Sequence, residues 1–262
     1  MARVTNRATW LLAVLLCAPA SFSALPDGTA ERRYSLPAKE TLKYAIEWRL
    51  ITAGRAQLDW SSTRVGGRPA WETSLHLEST GMVSKLFKVN DTYVSQLRQD
   101  LCAITSQIDA QEGRRRRETR INFQAEPGKA TYVERDLEKN AVVARNELDV
   151  PECVHDVVGG LFKLRTMHLE PGQSAQVPMS DGKKSVLARV EAQQREQIRT
   201  PAGTFQTIRY EAFLFKDVLF RRDANLYVWI TDDARRLPVQ IRVRMQFTIG
   251  TITLQLDKDG RS

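Results

Sequence analysis

Three histidines, His76, His155 and His168, and the pair Cys102 and Cys153 are the side chains with most scope for chemistry in this 262-residue chain. Cys153, His155 and Asp156 fall close together, a fragment of a metal-ligand set. An isolated fragment lacks the spacing of a structural zinc site, so no metal is expected. Once Cys17 is removed with the leader described below, an even pair of cysteines in an oxidising compartment favours a disulfide. That bridge would close a loop of about 50 residues, worth roughly 4 kcal/mol by chain entropy, with two buried thiols as the alternative. It would also withdraw the Cys153 thiolate from metal binding and from Cys–His catalysis. No G-x-S-x-G presents a serine nucleophile, and no glycine loop precedes a helix to hold phosphate. Carboxylates are plentiful but sit on the polar side of alternating strands, so no acid–base pair stands out. Neither a catalytic residue nor a cofactor is expected.

The aromatic side chains are the more suggestive set. Trp48, Trp60 and Trp71 all fall on segments that read as strand, with Leu161 and Phe162 on the main helix. They could fill an ordinary core or line an apolar cavity, since a strongly curled sheet can enclose more than side chains. Gln111–Arg120 is the most basic stretch, with Arg115 and Arg117 on one face of a strand. A solvated hairpin tip or an anion-binding patch fits it.

The elements that position these residues follow from periodicity. Val154, Val157, Val158, Leu161, Leu164 and His168 recur at spacings of three and four, which predicts a helix over Val154–Leu169. Pro151 precedes that run and Pro171-Gly172 ends it. Gly159-Gly160 inside it cost about 1 kcal/mol each relative to alanine, which points to close approach of helix to sheet. His155-Asp156 is placed to cap the helix start, and His168 sits near the opposite pole.

Almost everything else alternates with period two. Leu42, Tyr44, Ile46, Trp48 and Leu50 predict one strand, then a turn at Thr52-Ala53-Gly54, then Ala56, Leu58 and Trp60. Further strands are expected through Trp71–Leu77, Asp91–Leu97, Leu101–Asp109, Ala130–Arg135, Ala141–Leu148, Ser185–Glu191, Phe205–Phe215 and Leu226–Thr231, with a closing hairpin from Val239. Gly81–Lys88 breaks the rhythm and reads as a short helix or an apolar flap. The fold expected is mainly β: a large, strongly curved antiparallel meander, an open or partial β-barrel, packed around one main α-helix. A single β-rich domain over 39–257 follows an irregular lead-in at 24–38, with a flexible tail at 258–262.

Arg3 and Arg7, an apolar run through Ala20, and Ser21 and Ser23 predict a secretory signal peptide over 1–23. The run is too short to span a bilayer. Leu15 and Leu16 before Cys17 are not the small residue a lipid-attachment site wants, so lipidation is not expected. A periplasmic or secreted location follows. Net charge is +8 from 39 basic and 31 acidic residues; removing Arg3 and Arg7 leaves +6. That excess suits anionic lipid headgroups or cell-wall polymers, with nucleic acid excluded by compartment. No later segment is apolar and long enough to cross a membrane as a helix.

TLKYAIEWRLITAGRAQL, HDVVGGLFKLR and TPAGTFQTIRYE together resemble the bacterial family called domain of unknown function 3108, over roughly Ala38–Leu256. The resemblance implies a secreted or periplasmic protein with no established reaction and no catalytic residues. Its architecture is similar in outline to periplasmic lipoprotein carriers. The leading expectation is a non-enzymatic envelope protein that binds a lipid or other amphipathic molecule in its concave face. Trp48, Trp60, Trp71, Leu161 and Phe162 are the expected contacts, with Arg115 and Arg117 at an anionic headgroup. A scaffold that docks an envelope protein or anionic polymer is the second expectation. A hydrolase with a dispersed site is the third; it would need His155, acidic residues and a serine in one open pocket.

Overall fold

The hairpin that opens the domain is present in the computed structural model, which describes residues 36–49, 51–245 and 250–258. Strand β1 (Lys39–Trp48) pairs with β2 (Ile51–Val65), Leu42 opposite Leu58 and Tyr44 opposite Ala56, so their apolar faces coincide. The turn lies near Arg49, earlier than Thr52–Gly54, which fall within β2. Gly54 instead serves close strand approach, because a Cβ there would lie 2.2 Å from the Glu78 carbonyl oxygen. The predicted signal segment, the lead-in as far as residue 35 and the tail from 259 lie outside the described residues.

From β2 the chain continues through β3 (Arg68–Ser79), the short helix α1 (Gly81–Leu86), β4 (Val89–Arg98), β5 (Ala103–Glu112), β6 (Arg115–Gln124), β7 (Lys129–Asp136) and β8 (Ala141–Asp149). Helix α2 (Val157–Thr166) follows, then β9 (Ser174–Ser180), β10 (Ser185–Thr200), β11 (Gly203–Ala212), β12 (Ala224–Thr231), β13 (Pro238–Met245) and β14 (Thr251–Leu256). The described strands form one antiparallel sheet in the order β8-β7-β6-β5-β4-β3-β2-β1-β14-β13-β12-β11-β10-β9. Two meanders are thus joined where the first strand pairs with the last, Tyr44 opposite Leu256. The open seam lies between β8 and β9, and the chain crosses it by way of α2.

The sheet wraps around that helix. α2 packs on β3 and β4 on one side and on β9, the far edge strand, on the other. The β9–β10 tip reaches over the seam, where Asn146 Nδ2 donates to the Gly182 carbonyl at 3.0 Å. The Lys183 ammonium there lies 4.5 Å from the Tyr132 ring centre. The turns β1–β2, β5–β6, β7–β8, β9–β10 and helix α1 share one end of the sheet, here the upper end. The β4–β5 and β6–β7 turns and the disulfide mark the lower end.

Three local expectations are corrected. α2 is shorter than Val154–Leu169, because the sheet claims the backbone ahead of it. Ala103 N–H donates to the Val154 carbonyl, His155 N–H to Pro178, and Ser180 N–H to His155, at 2.8 to 2.9 Å. Val154 and His168 are therefore outside the helix, and Val157, expected on its inner face, is 44 % exposed. The strand expected through Phe215 ends at Ala212. Leu214 and Leu219 fold inward there, with Leu219 N–H donating to Leu214, so apolar alternation is spent on a packed loop. Ser185–Thr200 is one long strand with an irregularity between Ala192 and Gln194.

Candidate functional site

Asp156 sets where the helix sits. Its Oδ1 accepts the Gly159 N–H at 2.6 Å, capping α2, and its Oδ2 accepts hydroxyls from Ser106 at 2.6 Å and from Ser95. Ser95 and Ser106 face each other across β4 and β5. A buried carboxylate needs such partners, since an unmatched one is costly. The helix start is thereby pinned to the middle of the concave face. Its far end is fixed by Arg165, fully buried, whose guanidinium grips both oxygens of Glu40 at 2.5 and 3.1 Å at the start of β1. α2 thus fills the lower half of the concavity and leaves the upper half to two hollows.

The first hollow, about 300 Å³, lies between α2 and the inner faces of the strands from β9 to β14 and β1 to β3. Leu161, Met179, Ala188, Val228 and Ile241 are typical of its wall, and among the described residues no charged side chain lines it. A polar side chain in its wall, Tyr44, donates its hydroxyl to the Pro238 carbonyl at 2.8 Å. The second, about 440 Å³, lies against β3 to β7 and is the more polar of the two: Ser95, Ser106, Thr119, Asp156 and Lys183 share its wall with Ile108, Ile121 and other apolar side chains. Leu75, Leu77, Val157, Val158 and Phe220 border both. Val157 is exposed because it faces these hollows.

Charged groups gather beside the polar hollow. Glu134 is partly buried, yet the Tyr132 hydroxyl and the Lys183 and Arg117 charges hold its carboxyl below the usual range. Burial, reinforced by the Asp91 and Glu112 charges, pushes the Tyr93 phenol up to about 12, so it stays a neutral donor.

The expected contact residues divide. Leu161 lines the apolar hollow. Trp60 stacks between Trp71 and Phe162, with centroids 4.6 and 4.2 Å away, and these three rings fill the lower core, bordering neither hollow. Trp48 also borders neither; the Arg49 guanidinium lies 5.5 Å from its ring. Arg115 is exposed on the β5–β6 tip. Arg117 points inward and pairs with Glu134 at 3.6 Å and Asp136 at 3.3 Å.

Cys102 and Cys153 form a disulfide with Cα atoms 5.0 Å apart, tying the lower end of the sheet to the approach to α2. With His155 they place three ligand-type atoms within 4.8 Å, but the bridge holds both sulfurs. His155 Nδ1 lies 3.1 Å from the Pro178 carbonyl, Nε2 has no hydrogen-bond partner among the described residues, and the ring does not line the polar hollow. His155 therefore does not share this hollow with Ser95, Ser106 and Asp156. Sequence reading anticipated Asp156 as a cap; that Ser95 and Ser106 would meet it carried no local signal.

No helix among the described residues is long and apolar enough to cross a membrane. The family described as protein of unknown function (DUF3108) matches residues 43–257. A β-barrel-like protein of domain of unknown function DUF1849 from Brucella abortus superposes with a TM-score of 0.51 at 7 % identity, covering 86 % of this chain and 98 % of that one. A Bacteroides fragilis protein with a YmcC-like fold gives 0.37 at 9 % identity, covering 86 % and 97 %. Comparison with curated proteins gave no match. The chain belongs to the DUF3108 family.

Proposed function

We propose that this DUF3108 chain is a non-enzymatic carrier that takes the tail of an amphipathic molecule into the apolar hollow and its polar head into the neighbouring one. The observation that carries this is the shared border of an apolar space and a mixed one that adds hydroxyl, carboxylate and ammonium groups, about 300 and 440 Å³. Both fall within the size range of small-molecule sites, ~300–1,000 Å³. An apolar wall that opens to solvent, as the 44 % exposure of Val157 shows, is better covered by the tail of a ligand than by water. The disulfide supports an extracytoplasmic setting.

Solvent extraction of the purified protein, followed by mass spectrometry, tests the reading. A co-purifying single- or double-tailed lipid, and saturable binding of a fluorescent fatty acid, are expected. A protein that yields no lipid and leaves the fatty-acid probe unbound refutes it.

A further inference from the structure

We propose that the upper rim of the sheet docks on an anionic lipid bilayer; this rests on the carrier reading and makes a membrane the source of its ligand. Helix α1 buries none of its residues, and Met82, Leu86 and Phe87 are 75, 77 and 54 % exposed. An apolar cluster of this kind on a tip is a poor use of water-facing surface unless something covers it.

The neighbouring turns name the cover. Gly113 N–H donates to the Lys88 carbonyl at 2.7 Å, and the Phe87 ring lies against Gly113, where a Cβ would come within 3.1 Å. The β5–β6 tip with Arg114–Arg116 therefore forms one surface with α1. The β7–β8 tip joins it through the Leu137 N–H bond to the Arg116 carbonyl at 3.0 Å, and Leu137 is itself exposed. Across Gly81–Lys88, Glu112–Arg116 and Leu137–Asn140 six exposed basic side chains stand against two acidic ones, Glu112 and Glu138. Exposed apolar groups ringed by uncompensated positive charge match an anionic bilayer, where the former enter the headgroup layer and the latter meet phosphates. An acidic protein would answer the charge but not the scattered apolar tips. The position completes the argument: both hollows reach toward this end, bordered by Leu77 near the top of β3 and by Phe220 in the β11–β12 loop.

Sedimentation with vesicles tests the proposal, using phosphatidylcholine alone and phosphatidylcholine mixed with phosphatidylglycerol. The wild-type protein should pellet with the mixed vesicles only, and less so in high salt, where the Debye length contracts to about 3 Å. The double variants L86S/F87S and R114E/R116E should each reduce vesicle binding at least about tenfold while still binding fluorescent fatty acid in vesicle-free buffer. Wild-type protein left in the supernatant, or variants that pellet equally well, would overturn the docking proposal. So would self-association lost in L86S/F87S, which assigns the rim to a second copy. Fatty-acid binding without vesicle binding removes the docking alone; vesicle binding without fatty-acid binding removes the carrier reading and leaves the docking standing.

Discussion

Arg165 and Arg236 cap one another: Arg165 Nε donates to the Arg236 carbonyl at 3.0 Å, and Arg236 Nε to the Arg165 carbonyl at 2.9 Å. Arg236, in the left-handed region at φ 45°, also reaches the Met167 carbonyl at 2.7 Å and the Tyr210 hydroxyl at 3.0 Å. The last carbonyls of α2 are thus satisfied from the β12–β13 turn, and the helix end is held to the lower rim. A terminal turn without glycine needs such an external partner.

Arg165→Met should therefore unfold more easily, by about 3–5 kcal/mol, because it leaves the Glu40 carboxylate with its buried partner gone. Arg165→Lys should recover little, since an ammonium cannot reproduce the two-pronged grip on Glu40. Urea denaturation of both variants measures this. A loss under about 1 kcal/mol for Arg165→Met would show the pair to be dispensable.

Gly159 and Gly160 should respond differently to alanine. A Cβ on Gly159 would lie 2.7 Å from Asp156 Oδ1 and 3.1 Å from Leu97, and Asp156 is held by three hydrogen bonds. A Cβ on Gly160 meets only the end of Met179, at 2.7 Å, a thioether with free rotamers. Gly159→Ala is expected to cost about 1–3 kcal/mol through overpacking. Gly160→Ala should be close to neutral, its strain offset by the ~1 kcal/mol that alanine gains in a helix. Thermal melts of the two single variants check the order.

Most of the architecture was legible in the alternation of residues such as Leu42, Tyr44 and Val239, because a half-buried strand must alternate. The disulfide followed from the cysteine count and the compartment that the leader-like start predicts. The helix ends were misjudged because Val154 and His155 bond to β5 and β9, a tertiary demand that helical spacing does not register. The hollow was legible only through Leu161. Ala188, Val228 and Ile241 face inward whether the space before them is filled or empty, so the same pattern describes a core and a cavity. Trp60 shows the converse error: a large ring suggests a ligand contact, yet Trp71 and Phe162 already cover its faces.

His155 should make stability fall on the acid side of neutrality. Burial chiefly, with the Lys163 charge, holds its pKa below the ordinary 6.5, against the opposing pull of the Pro178 carbonyl, Asp156 and Asp100. The unfolded chain then binds the extra proton more readily than the folded one, so stability is full above pH 6.5 and declines as pH drops toward the folded value. His155→Gln should lack this part of the decline. Melting temperatures from pH 5 to 8 test it; parallel wild-type and variant curves would exclude His155 as the cause.

Cys102 and Cys153 lie 51 positions apart, so replacing both with serine should cost about 4 kcal/mol through the freed unfolded chain. Because the bridge anchors the segment before α2, loosening should begin at Val150–Asp156. Hydrogen exchange can follow this: amides of Ala103, His155 and Ser180, whose bonds join that segment to the sheet, should lose protection first. Uniform loss across the sheet would mean the bridge acts only on the unfolded state.

Ala188→Phe puts the hollow itself to the test. Ala188 is buried on β10 and lines the apolar space, so a ring there would project into about 300 Å³ of otherwise unfilled volume. In a close-packed core the same enlargement would cost about 1–3 kcal/mol. Here the added apolar contact should leave ligand-free stability unchanged or raised, and fatty-acid affinity should fall at least about tenfold because the tail and the ring compete for one space. Ala130→Phe supplies the contrast, since Ala130 is fully buried on β7 and lines neither hollow. It should destabilise the fold. If the two variants lose stability alike, the space is closed in solution and the tail has no room there.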